Sequence, residues 1–121
     1  MTRRLGAMAI TIALAGTVVG AQAPDAKLAA AGKKLYTTYK CDKCHTIAGK
    51  GTKKPDGELD DIGTKLTPAD IKKWLTAPAE MEAKLKNPPK GTNSMANALK
   101  TKGIEPGEVD SLVAYLQTLK K

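Results

Sequence analysis

Cys41-Asp42-Lys43-Cys44-His45 is the stretch on which the reading of this chain turns. The C-x-x-C-H spacing is that of a covalent haem-attachment site. Two cysteines one helical turn apart can each add to a vinyl group on one edge of the macrocycle. The histidine that follows then brings an imidazole nitrogen to the iron. A structural zinc site would need two more soft ligands, and the whole chain holds two cysteines and one histidine. A redox-active C-x-x-C expects a β-α-β setting, and no such pattern flanks the motif. A disulfide across this spacing would close a very small loop and stabilise little.

The N-terminus supports the same reading. Arg3 and Arg4 precede an apolar run from Leu5 to Val19, and Ala21-Gln22-Ala23 forms an A-x-A cleavage box. This is the pattern of a secretory signal peptide over residues 1–23, with the mature domain over 24–121. The apolar run is shorter than the ~20 residues a spanning helix needs, so no stable membrane insertion is expected. Haem loading after export puts the protein in the periplasm.

The remaining chain is small and contains no phenylalanine; its aromatics are Tyr36, Tyr39, Trp74 and Tyr115. A domain this short often needs a staple, and a buried macrocycle supplies one. Beyond residue 23 there are 18 lysines, no arginine and 12 acidic residues, a net charge of +6. Such a surface can steer the protein toward acidic partners. Nucleic acid is excluded as a partner by export and by the lack of arginine and interleaved aromatics.

Along the chain, Leu28, Ala31, Leu35 and Tyr39 recur at helical spacing, which predicts a helix over 25–40 with Asp25 as N-cap. Gly32 within it suits a close helix crossing. Residues 46–66 read as an irregular, glycine-rich stretch that wraps one edge of the cofactor. A backbone carbonyl there would accept from the second nitrogen of His45. Thr67-Pro68-Ala69-Asp70 opens a helix carrying Ile71, Trp74 and Leu75, with Trp74 expected against the haem edge. A short helix from Pro78 to Leu85 follows. Residues 87–95 read as a stiff, non-regular segment because of Pro88 and Pro89. Val109, Leu112, Val113, Leu116 and Leu119 mark the final helix, expected to cross the first with Gly32 and Tyr36 against Tyr115 and Leu116. No strand is expected.

An iron held by His45 has one further axial position. With one histidine in the chain, a second imidazole is excluded, and lysine is protonated at neutral pH. Methionine is the common alternative. Met1 and Met8 leave with the signal peptide, so Met81 and Met95 remain. Met95 follows the stiff segment and is preferred; Met81 sits in a short charged helix. A five-coordinate iron with neither is the third possibility.

In these residues the chain resembles the class I monohaem cytochromes c. The resemblance spans nearly all of 25–121. It rests on Gly32 and Tyr36, on Cys41-x-x-Cys44-His45, on Leu59-Asp60-Asp61-Ile62-Gly63 and on Trp74-Leu75. Met95 and Leu112-Val113-Ala114-Tyr115-Leu116 complete it. It implies an all-α cytochrome c fold, with three main helices and shorter ones around one haem c. It implies thioether bonds from Cys41 and Cys44, and iron ligation by His45 and Met95. The family usually carries a proline just before the loop leucine, and that proline's carbonyl accepts from the histidine. Here Pro55 lies four residues before Leu59 and Glu58 fills the place, so several carbonyls remain candidates. The segment before Met95 also differs from the short lysine-methionine-proline form common in the family.

The function expected is that of a soluble, monomeric one-electron carrier rather than an enzyme. Its partners would be redox proteins with acidic docking faces, met by Lys40, Lys43, Lys50, Lys53, Lys54 and Lys90. The alternatives are a haem subunit of a larger redox complex, or a five-coordinate haem protein acting as peroxidase or gas sensor. Against a peroxidase, the mature chain has no second histidine and no arginine to assist peroxide cleavage.

Overall fold

The computed structural model describes residues 23–54 and 57–121. The expected signal peptide, apart from Ala23, and Pro55 lie outside the described residues. The fold is all-α in its main elements. Helix α1 is Ala26–Thr38, α2 is Ile62–Lys65, α3 is Pro68–Thr76, α4 is Pro78–Ala83, α5 is Met95–Leu99 and α6 is Pro106–Gln117. Helices α1, α3 and α6 are the three long ones.

Each long helix begins where its sequence says it should. Asp25 Oδ1 accepts from the backbone N–H groups of Lys27 at 2.8 Å and Leu28 at 3.0 Å, which satisfies donors the first turn leaves free. Thr67 Oγ1 accepts from Asp70 N at 3.1 Å, with Pro68 at the first helical position of α3. At the start of α6, Glu105 N donates to Glu108 Oε2 at 3.0 Å, one arm of a capping box.

Helices α1 and α6 form the central crossing, and Gly32 is its closest point. A Cβ at Gly32 would sit 1.9 Å from Ser111 O and 2.7 Å from Tyr115 Cβ. The backbones can therefore approach only because residue 32 has no side chain. One turn further, the rings of Tyr36 and Tyr115 meet edge to face with centroids 5.8 Å apart. The expected partners of Gly32 are thus refined: Ser111 and Tyr115 meet it. The other end of α6 holds the loop. Gly63 N donates to Leu119 O at 2.8 Å, and Gln117 Nε2 donates to Leu66 O at 3.1 Å. Lys121 pairs with Glu58 at 3.0 Å and its backbone N–H reaches Asp61. Lys121 therefore ties the segment after α6 to the loop.

The core is small. Its buried apolar residues are Tyr36, Ile71, Val109, Leu112, Ala114 and Leu116, and Leu112 alone has a side chain under 2 % exposed. Around it, Leu59, Leu66, Trp74, Leu75, Met81, Met95 and Leu99 are only half-buried.

Three expectations need correction. The 46–66 stretch is not wholly irregular: Thr46–Ile47 and Lys50–Gly51 pair as a two-stranded antiparallel ribbon, and Ile62–Lys65 forms α2. These pieces are too short to carry a periodic signal. The 87–95 segment makes a single 3₁₀ turn at Gly91–Asn93, and Met95 opens α5 rather than ending a loop. Helix α4 stops at Ala83, two residues short of Leu85.

Candidate functional site

The motif sits directly after α1. Lys40 adopts a left-handed conformation, φ 53°, which turns the chain out of the helix. Cys41–Lys43 then make one 3₁₀ turn, and His45 N donates to Cys41 O at 3.0 Å. The turn brings Cys41, Cys44 and His45 together. Both thiols are half-buried and unpaired with each other. Burial, the largest influence, pushes the Cys41 thiol above its ordinary value.

His45 is held by the loop that follows it. Its Nδ1 lies 3.1 Å from Gly57 O. A carbonyl can only accept, so Nδ1 carries the proton and Nε2 keeps its lone pair. Burial pushes the imidazole below its ordinary value, and the Gly57 carbonyl pulls it partly back. A neutral imidazole with one nitrogen fixed as donor and the other free is the state a metal ligand requires. The accepting carbonyl, left open by the sequence, is that of Gly57.

Gly57 is positioned by its neighbours. Its carbonyl also accepts from Thr46 N at 2.9 Å, and Leu59 N returns a bond to Thr46 O at 2.9 Å. A Cβ at residue 57 would sit 2.5 Å from Cys44 O. Only glycine lets the loop lie this close under the motif.

Beside Cys41, the hydroxyl of Tyr36 is buried without a hydrogen-bond partner. Burial, and next the charge of Cys41, raise its pKa. An orphaned polar atom next to the first thiol, two free thiols on one turn and a prepared imidazole fit a covalently bound macrocycle. Trp74, expected at the haem edge, is half-buried on α3. Met81 and Met95 are both half-buried, on the neighbouring helices α4 and α5.

One buried polar residue beside Met95 gave no sequence signal. Glu82 is 7 % exposed. Its Oε2 accepts from Ser94 Oγ at 2.9 Å and its Oε1 from Ala96 N at 3.1 Å. The two partners flank Met95. In the sequence Glu82 looks like one charge among several on a short helix, and nothing there marks it as buried.

Among the described residues, no helix is long and apolar enough to cross a membrane, and no group of three or more acidic, histidine or cysteine residues is placed to hold a metal ion. No curated protein and no solved structure matches the chain. The family model described as Cytochrome c matches residues 29–120. That match covers most of the chain, including most of α1, the C-x-x-C-H turn and α6; the family binds haem c covalently through two cysteines, and Cys41 and Cys44 are spaced as that attachment requires. The chain belongs to the cytochrome c family, whose work is haem-based electron transfer.

Proposed function

We propose that the protein is an exported, freely diffusing one-electron carrier, in which His45 and Met95 hold the two axial positions of the haem iron. On this reading residues 1–23 are removed and the domain 24–121 works as a monomer in the periplasm. The observation that carries it is the Nδ1–H bond from His45 to Gly57 O, which leaves Nε2 free and oriented.

When bound, haem c supplies an iron that takes up and gives back one electron. The residues of the chain do the rest. Cys41 and Cys44 keep the group from leaving. His45 binds through Nε2, and Gly57 prevents its ring from turning. Met95 offers a neutral thioether, which raises the potential and suits both oxidation states, so little rearrangement opposes transfer. Surface lysines draw an acidic partner to the site.

Two measurements on the purified holoprotein test this. Voltammetry should give a reversible couple with one electron per haem, and the ferrous form should bind carbon monoxide only slowly. Rapid carbon monoxide binding, or peroxide turnover, would instead support an open iron and an enzymatic or sensing role. Co-purification in fixed ratio with a larger partner would replace the free carrier by a subunit.

A further inference from the structure

We infer that Glu82 is the positioning residue of the methionine ligand: its buried carboxylate grips the chain on both sides of Met95 and keeps the thioether where the iron can use it. This rests on Met95 being the ligand, as proposed above.

The geometry is specific. Ser94 immediately precedes Met95 and Ala96 immediately follows it. Glu82 Oε2 takes the hydroxyl of the first at 2.9 Å, and Glu82 Oε1 takes the backbone N–H of the second at 3.1 Å. Ser94 Oγ in turn accepts from Asn97 N at 3.2 Å, capping α5. A helix of five residues has almost no stability of its own. It needs an outside anchor, and α4 supplies one.

Placing a carboxylate here is costly. Among the described residues no lysine forms an ion pair with Glu82. A buried charge without a cation is disfavoured unless its lone pairs are satisfied, and an apolar side chain would fill such a position with less loss. What an apolar residue cannot do is hold the Ser94 hydroxyl and the Ala96 backbone N–H at once. A methionine side chain is long and has three rotatable bonds. Its sulfur is a neutral, displaceable ligand. Fixing both neighbours, one by its hydroxyl and one by its backbone N–H, removes freedom that would otherwise oppose its return to the iron.

The test is competition by imidazole for the ferric iron, followed through the weak long-wavelength sulfur-to-iron band. Glu82→Ala should bind imidazole roughly tenfold or more tightly than the parent. Glu82→Gln should be within about threefold of the parent, because an amide can accept from Ala96 N and donate to Ser94 Oγ. Ser94→Ala, which removes one of the two bonds, should give an intermediate shift; it keeps the test open if Glu82→Ala does not load haem. Thr67→Ala, which uncaps the first turn of α3, should lower Tm without changing imidazole affinity. Imidazole affinity unchanged in both Glu82→Ala and Ser94→Ala would overturn the inference, even with a lowered Tm. Met95→Ala separates the two layers. Band lost there with the Glu82 and Ser94 variants unshifted overturns the inference alone; band retained there overturns the ligand assignment and the inference with it.

Discussion

The carbonyl of Gly57 serves two donors, His45 Nδ1 at 3.1 Å and Thr46 N at 2.9 Å, and this one atom orients the imidazole. A hydrogen bond of this kind makes the ring a stronger electron donor and favours the ferric state. Gly57→Ala would put a methyl 2.5 Å from Cys44 O and push the carbonyl away. The expected result is a rise in reduction potential on the order of tens of millivolts, read by voltammetry. An unchanged or lowered potential would show that the bond does not tune the iron. Cys41, Cys44 and His45 are legible in the sequence, because their spacing is set by bond-forming chemistry. It did not give Gly57, because the family's proline is displaced here and a backbone carbonyl has no residue-type signature. It did not give Glu82 either, since burial of a charge depends on how α4 and α5 pack.

At the scale of elements, the α1–α6 crossing carries the fold. Gly32→Ala places a Cβ 1.9 Å from Ser111 O. The helices must separate, costing about 2 kcal/mol despite the better helix propensity of alanine. That corresponds to a drop in Tm on the order of 10 °C, measurable by circular dichroism. An unchanged Tm would mean the crossing is looser than described.

The same crossing is tied at one end by Tyr39, whose hydroxyl donates to Glu108 Oε2, while Lys102 Nζ donates to Tyr39 O. The bond to Glu108 comes first among the causes that push the Tyr39 hydroxyl from 10.0 up to about 12. It also comes first in holding the Glu108 carboxyl below its ordinary value. A raised tyrosine contributes stability that is fully present below its unfolded value and is lost as pH rises through the folded one. The depressed carboxyl adds stability above its unfolded value, lost as pH falls through the folded one. Between pH 10 and about 12 the parent should therefore lose more stability than Tyr39→Phe. Urea midpoints across that range check it; parallel curves would dismiss the bond as a contributor.

The long helices were legible in the sequence because of their caps and apolar spacing, as at Asp25, at Thr67-Pro68 and along Val109 to Leu119. Helix α2, the Thr46–Gly51 ribbon and the start of α5 at Met95 were not. Each is shorter than the window in which a period can be read, and each is held by partners remote in sequence, such as Leu119 for Gly63 and Glu82 for Ser94.

At the scale of the molecule, a thin core and a lysine-rich surface are two sides of one design. Lys40, Lys43, Lys50, Lys53 and Lys90 are exposed, whereas Lys54 is half-buried and directs its Nζ to Thr92 O at 3.4 Å. Lys54 is thus partly withdrawn from the docking set and links the loop beneath His45 to the segment before Met95. Replacing Lys43 and Lys53 by glutamine should flatten the salt dependence of electron transfer to an acidic partner. An identical slope would move the docking face elsewhere.

The central claim is that the iron sits between His45 and Met95. Two methionines follow the expected cleavage site, Met81 and Met95, so labelling methionine methyl groups with carbon-13 in the ferrous holoprotein gives few signals to assign. A methyl bound over the macrocycle is shifted far upfield by the ring current. One signal should be so shifted; it should persist in Met81→Leu and vanish in Met95→Leu. An upfield methyl that vanishes in Met81→Leu instead, or no upfield methyl at all, would contradict the account.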